Sequence, residues 1–396
     1  MAALPTIDNA ERRRRIGARH ALAKRRPVQE LPALADDLAG IHATDPASVY
    51  LELRARLESL TKGDIERALY EDRSIVKLVG MRRTMFAVSP AFGGIVNAAT
   101  AMDIAAGERT RMYRMLAGAG ITDAPVSWVA EVERQTVDAL DELGEATAAD
   151  LTKRVPGLRE QIAFGEGKRW AGKVGVSTRL LFLLSAEARI VRGRPRGTWL
   201  SSLYRWVPTD RWIDSGLEPW PPEQAHAELV RRWLRAYGPG TTKDLQWWTG
   251  WTVACTKAAL RAAEAVEVGL EGGARGWVLP DDLDPTPDPG PWVALLPALD
   301  STVMAWKERD WYLGGFSREL FDTAGNAGPT AWVDGEVVGL WAQRSNLVVG
   351  YRLLRDVGRE ARLALDAEAA RLTEWLGTDR VFPRFPTEAF RELSAT

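Results

Sequence analysis

The sequence predicts an α+β fold: three tandem winged helix-turn-helix units, then a β-rich element and a terminal helix. Three observations carry that prediction. An order of helices followed by two short strands recurs three times along the 396 residues. Each recurrence closes on a hairpin pattern, with apolar runs flanking a Gly-, Pro- or Arg-rich turn. The apolar content of 46% is that of a globular chain able to bury a core in each unit. Recurrence argues for tandem units more strongly than any one copy does. The division that follows is 1–122, 123–220, 221–280 and a last part at 281–396.

The first unit opens on a basic run. Between Asn9 and Arg26, eight basic residues (Arg12 to Arg15, Arg19, Lys24, Arg25, Arg26) face one acid, Glu11. Ile16, Ala18, Leu22 and Ala23 make it weakly amphipathic. Such a run is either solvated or neutralises phosphates. A short helix is expected over 31–41, then a polar break, His42-Ala43-Thr44-Asp45-Pro46, then a helix to about residue 60. Asp45 followed by Pro46 is a helix start: the carboxylate accepts orphan N–H groups, and Pro has none to leave unpaired. His42 and Thr44 therefore sit on the lip between two helices. Gly63-Asp64 starts a third helix, and residues 74–79 and 83–88 read as strands around Gly80.

The second unit begins with an amphipathic helix over 127–143 and a short one over Ala148–Arg154. An apolar helix at 176–188 leads into strand, basic turn and strand: Arg189 to Trp199 carries Arg192, Arg194 and Arg196, and the pattern ends at Trp206. A narrow basic hairpin is what a wing touching DNA needs; a solvated tip is the alternative. The third unit has helices over 223–237 and 252–264. Between them a short helix starts at Thr241, with Asp244 at capping-box spacing. Strands are expected at 266–270 and 276–279.

Five prolines in 280–291 mark a linker or edge wrap. Short strands follow at 292–296, 331–333, 337–341 and 347–351, with Asp334-Gly335 as a hairpin turn. Residues 360–376 form a terminal amphipathic helix, and a slightly basic tail runs from Arg380.

Several function classes drop out. No run of about 18 apolar residues exists to span a membrane, and the N-terminus carries no apolar signal core. One cysteine, Cys255, and three scattered histidines (His20, His42, His226) leave no disulfide framework and make a metal site unexpected. A reducing cytoplasm is the expected compartment, and a monomer without cofactor the expected form. There is no GxSxG, HExxH, Walker or dinucleotide-binding pattern, and the Gly325–Pro329 loop lacks the lysine of a phosphate-binding loop. The 17 tryptophans, many between Trp199 and Trp251, are either core filler or, in part, faces for flat ligands and bases.

The lip Gly40–Pro46, the run Gly80–Phe86, Leu295–Asp300 with the following Trp306–Arg309, and Gly328–Trp341 together resemble the AlkZ-like superfamily of winged-helix DNA glycosylases. The resemblance implies three winged helices forming a basic concave surface on double-stranded DNA. It implies excision of alkylated purines, including bulky N7-guanine adducts and crosslinks made by genotoxic natural products, and hence a role in DNA repair or genotoxin self-resistance. The family's catalytic Gln-x-Gln, or Gln-x-Asp, falls at this lip. His42 stands at the first position and Thr44 at the second, so this chain departs at both.

An N7-alkylated purine is cationic and already a good leaving group. A positioned water and stabilisation of the sugar cation then suffice. The expectation is His42 as water-positioning residue or base, Thr44 as its helper through the hydroxyl, and Asp45, if not used as a cap, as negative charge beside the sugar. By role, Arg82, Arg83, Thr84, Arg192, Arg194 and Arg196 are the expected DNA contacts. Asp300 and Arg309, at family-like positions, either brace the floor of the site or form a buried ion pair. A hairpin held in the minor groove would grip DNA without extruding the base, although base flipping is the usual route. The alternative functions are a non-catalytic winged-helix DNA-binding or regulatory protein, and a hydrolase of another substrate using His42.

Overall fold

The structure is a computed structural model that describes residues 4–164, 171–214 and 216–396. One connection occurs three times: helix, very short strand, helix, helix, hairpin, with the short strand bonded to the second hairpin strand. In the first copy Ile41–His42 pairs antiparallel with Met85–Val88, which pairs with Val76–Val79. In the second, Ala146–Thr147 pairs with Tyr204–Pro208, and that strand with Ile190–Pro195. In the third, Gly240 bridges to Trp277 in the hairpin of Val266–Leu270 and Arg275–Val278. A polar cap starts the helix after each short strand: Asp45 accepts from the Ala47 amide, and Thr147 with Asp150 and Thr241 with Asp244 form capping boxes.

The last part is a four-stranded antiparallel meander, Val293–Leu296, Thr330–Val333, Glu336–Gln343 and Val349–Leu353. Its tight turn has Asp334 at φ 47° and Gly335 at φ 86°, the doubly left-handed geometry that favours Asp-Gly. The helix Gly358–Leu376 lies across the outer strands, and Glu388–Ser394 covers Glu336–Gln343. One apolar core runs through all of these elements, with a small satellite of Ile7, Val268, Leu270 and Val278. No helix among the described residues is long and apolar enough to cross a membrane.

Four differences from the sequence reading have physical causes. The helix expected over 31–41 ends at Asp37, because Ala39 (φ 51°) and Gly40 (φ 107°) turn the chain into the strand Ile41–His42. Residues 90–118, to which the sequence reading assigns no element, are helical, with one π-helical stretch at Asn97–Ala101. A further hairpin, Gln161–Phe164 with Gly172–Gly175, interrupts the second copy.

The fourth concerns the basic run, most of which is paired or buried, with Arg14 and Lys24 exposed. It is the helix Asn9–Arg19 and its exit, bound into the fold. Arg15 is buried against Glu11 and Asp282 at 2.8 and 3.1 Å, and Arg19 meets the same Asp282 at 2.5 Å. Arg12 lies 3.7 Å over the Trp311 ring, and burial lowers its pKa to about 10. Arg13 pairs with Glu336 at 2.6 Å, and Arg25 with Glu368 at 2.9 Å. The N-terminal strand Thr6–Ile7 runs parallel to Gly269–Leu270, so this end of the chain is attached to the third hairpin.

The lip is held from the far end of the chain. Arg56, on the helix Pro46–Arg56, reaches Asp300 with two bonds of 2.9 and 2.7 Å, and Thr302 Oγ1 at 2.8 Å. Both charged side chains are fully buried. Burial works against the Arg56 charge, but Asp300 and Glu52 raise its pKa overall. Glu52, buried and beside Asp300, is pushed well up despite Arg56. Thr302 continues the network to His20 Nδ1 at 2.8 Å, and His20 Nε2 bonds the Ala236 carbonyl at 3.0 Å.

Removing one member of a buried pair strands the other. Arg56→Met should cost about 3–5 kcal/mol in urea unfolding. Arg56→Met with Asp300→Leu should recover a large part of that loss, and equal loss in the double variant would show that the pair does not tie the lip down.

Candidate active site

The lip is a strand of two residues because its surroundings allow no more. Gly40 enters at φ 107°, where a Cβ would meet the Phe86 ring at 3.0 Å. Ser301 Oγ accepts from the His42 amide at 3.2 Å and donates to the Gly40 carbonyl at 2.9 Å. Ser48 Oγ donates to the Ala298 carbonyl at 2.6 Å. One loop, 298–302, therefore fixes the backbone on both sides of His42.

The His42 ring sits edge-on to Phe86, centroids 5.3 Å apart, and Phe86 in turn sits edge-on to Trp248. Nδ1 is buried without a hydrogen bond, and neither ring nitrogen bonds a protein atom among the described residues. Burial first, and the Arg82 charge second, pull its pKa down to about 3. The imidazole is therefore neutral at every physiological pH, with one nitrogen available as acceptor.

Beside it lies a stack of two cations on one indole. The Arg82 guanidinium is 3.8 Å and the Arg309 guanidinium 5.1 Å from the Trp247 ring centroid, and Arg309 also lies 4.4 Å from that of Phe321. Neither arginine pairs with a carboxylate among the described residues, and Arg82 Nε and Arg309 Nη1 are buried without partners. Burial and then Arg309 lower the Arg82 pKa to about 10. Two guanidiniums held together without an acid favour an incoming anion such as a DNA phosphate. Arg82 and Arg83 have positive φ, 52° and 65°. That backbone is unfavourable for side-chain-bearing residues, and here it turns Arg82 toward the lip.

The remaining predicted residues divide. Thr44 Oγ1 is half-buried and accepts the Met85 amide at 3.2 Å, leaving its hydroxyl proton free to donate. Asp45 is fully used as structure: Oδ1 accepts from Ala47 at 3.1 Å and Oδ2 from the Arg384 amide at 2.8 Å. It is the cap, not the free negative charge entertained from sequence. Thr84 Oγ1 donates to the Met81 carbonyl at 2.8 Å, and Arg83 pairs with Glu108 at 2.9 Å. Arg192 lies against Tyr204 and Trp206, Arg194 pairs with Glu66 and Glu71, and Arg196 is exposed at the hairpin tip. Asp300 and Arg309 do not pair with each other. Asp300 holds Arg56, while Arg309 faces the site.

Sequence reasoning missed Ser301, Phe86 and Arg384, and met Trp247 only as one of many tryptophans. The repeats offer an internal comparison. The residue facing the hairpin's second strand is His42 opposite Phe86 in the first copy, Ala146 opposite Trp206 in the second, and Gly240 opposite Trp277 in the third. An aromatic residue is present each time. Only the first copy places a polar side chain against it. No cluster of three or more His, Cys, Asp or Glu able to hold a metal occurs among the described residues.

A family model described as DNA glycosylase AlkZ-like matches residues 35–375. The solved structure of Streptomyces sahachiroi DNA glycosylase AlkZ superposes with TM-score 0.71 at 19% identity, over 94% of this chain and 97% of that one. At that identity the likeness concerns the fold. Among curated proteins, the lin-52 homologues of Homo sapiens and Mus musculus are each 49% identical over 39 residues, 10% of this chain. The chain spans about a third of the length of those relatives, 34%.

The neutral imidazole is directly testable. In nitrogen-15 NMR spectra, the His42 ring resonances should not titrate between pH 5 and 8, whereas an ordinary histidine titrates near 6.5. A His42 midpoint above 5 would contradict its burial beside Arg82.

Proposed function

The chain belongs to the AlkZ-like DNA glycosylase family, and from that premise we propose that it is a monofunctional enzyme that hydrolyses the N-glycosidic bond of N7-alkylated guanine in duplex DNA. We read the thrice-repeated helix and hairpin order as three tandem winged helices that present the lip to DNA, with the divisions at about 122, 220 and 280. The observation that carries the reading is the His42 ring, neutral, with an unpartnered nitrogen and next to two acid-free guanidiniums; the sequence resemblance puts the family's catalytic motif at this lip.

The chemistry asks little of the protein. In the substrate the C1′–N9 bond breaks, and its electron pair neutralises the cationic purine, which leaves as neutral 7-alkylguanine. A water oxygen adds to C1′, and its proton passes to bulk solvent, leaving an abasic site. With a pKa near 3, His42 is too weak a base to remove that proton early. Its role is to accept a hydrogen bond from the water and aim it, with Thr44 Oγ as a second contact. Asp45 is occupied, so negative charge beside the sugar cation comes from the DNA phosphates that Arg82 and Arg309 hold in place. Residues His42 to Asp45 include no amine to form an imine with the abasic sugar, which favours hydrolysis over strand cleavage. The same low basicity favours a second reading, a DNA-binding protein without catalysis.

One assay separates the two. A duplex with a single N7-methylguanine should release free base and leave an alkali-labile site. His42→Ala should slow release by about 10²-fold or more, on the scale of a lost positioning or acid–base group. Arg82→Ala and Arg309→Ala should weaken duplex binding and each lower the salt slope by about one. Tight, salt-dependent binding with no release from methyl or bulky adducts would overturn the catalytic reading.

A further inference from the structure

We propose that a strip built from the loop of the second hairpin and the C-terminal tail is a second contact surface for duplex DNA, with Arg384 and Arg196 on phosphates and Phe382 and Leu203 against the minor groove. This deepens the reading above. It rests on the premise that the lip faces duplex DNA, and not on base release.

Two stretches of chain form the strip, and neither contains an acid. Ile190 to Pro208 holds four arginines, and Arg380 to Thr387 holds two. Hydrogen bonds fasten these stretches to each other and to the lip. Trp199 Nε1, in the hairpin loop, donates to Asp379 Oδ2 at 2.9 Å. Gln343 accepts the Val381 amide at 2.8 Å and donates to the Asp379 carbonyl at 3.0 Å. The Arg384 amide reaches Asp45 Oδ2 at 2.8 Å. Trp199 also packs against Tyr50 of the lip helix, ring centroids 4.8 Å apart. The strip is thus a fixed continuation of the lip.

Between these anchors burial alternates along the tail: Val381 and Pro383 are buried, Phe382 and Arg384 exposed. Phe382 is 51% exposed, edge-on to Phe390 at 5.2 Å, and Leu203 in the hairpin loop is 67% exposed. Ion pairing sorts the arginines. Arg194 is held by Glu66 and Glu71, and Arg205 by Glu145. Arg196 and Arg384 are exposed and pair with no carboxylate among the described residues; the Arg384 guanidinium lies 5.6 Å from the Phe385 ring. Asp45 feels the Arg384 charge, but its oxygens are taken by the Ala47 and Arg384 amides.

A sugar presented to the lip carries a phosphate on each side. Arg82 and Arg309 stand beside His42 at one end of the lip, and Arg384 beside Asp45 at the other. Guanidiniums at both ends suit the two phosphates. Exposed apolar side chains among cations are the combination that holds a minor groove: the cations take phosphates and the apolar tips meet sugars and base edges.

The test is the salt dependence of binding to an undamaged duplex, measured on the full chain. Arg384→Ala keeps the amide that completes Asp45, so it should keep the wild-type Tm and lower the salt slope by about one; Arg384→Lys should restore it. Phe382→Ser should weaken binding by about tenfold at an unchanged slope, the loss of roughly half a buried phenyl. Arg134→Ala, which removes an exposed arginine already held by Glu131 and Asp138, should leave both quantities alone. Wild-type binding in Arg384→Ala and Phe382→Ser, with the slope still lowered by Arg82→Ala, overturns the strip and leaves the lip on DNA. An equal fall of slope in Arg134→Ala also overturns it, since charge and not place would then matter. So does a change of sedimenting mass in Phe382→Ser with duplex binding intact, which would make the strip a contact between copies of this chain. A wild-type protein without salt-dependent duplex binding would sink the strip and the reading of the lip together, whereas a protein that binds without releasing base sinks only the catalytic reading.

Discussion

The buried pair of Arg56 and Asp300 is the contact on which the rest of the site depends. It joins residues 244 positions apart and brings the loop 298–302 against the lip helix. That loop supplies Ser301, which holds the Gly40 carbonyl and the His42 amide. A paired charge in a dry interior is held by geometry as much as by attraction, since any displacement leaves both ions short of partners. Glu52, its pKa raised by the same burial, completes the cluster beside Asp300. The precision of the lip comes from a part of the chain that forms no part of the first helical unit.

The distribution of arginines shows how an almost neutral chain, formally −1, still gathers two acid-free guanidiniums beside the lip. Arg13, Arg15, Arg19, Arg25 and Arg26 all meet acids, and the basic N-terminal run becomes internal scaffolding. The hairpin arginines are mostly covered too, Arg192 by aromatic rings and Arg194 by two glutamates. Arg82 and Arg309 face the lip with only aromatic rings beneath them. Local charge density in the sequence was therefore a poor guide to where guanidiniums stand without an acid.

Much of the fold was legible. The meander strands, the Asp334-Gly335 turn and the helix Ala148–Arg154 followed from alternation, turn chemistry and capping, all of which act between neighbours in sequence. The strand Ile41–His42 was not: two residues have no period, and their strand character comes from pairing with Phe86 and Ala87. The helices over 90–118 were invisible for a related reason, since glycine, alanine and polar residues interrupt any apolar stripe there. At the site, position and chemistry singled out His42 and Thr44. The use of Asp45 as a cap was one of two readings the dipeptide Asp45-Pro46 allowed. Trp247, Ser301 and Arg384 had no local signal, because each matters only through a contact far along the chain.

That last contact bears on how the protein is made. The Asp45 carboxylate is completed by the Arg384 amide, 339 residues later. A ribosome adding roughly 5–20 residues per second leaves the lip unfinished for tens of seconds, its carboxylate without one partner and its floor without Asp300. A nascent or truncated chain lacking its tail would carry the histidine, the arginines and the hairpins, yet not the geometry that relates them. The geometry of the lip thus waits for residues made some 244 to 339 positions later, Asp300 and Arg384.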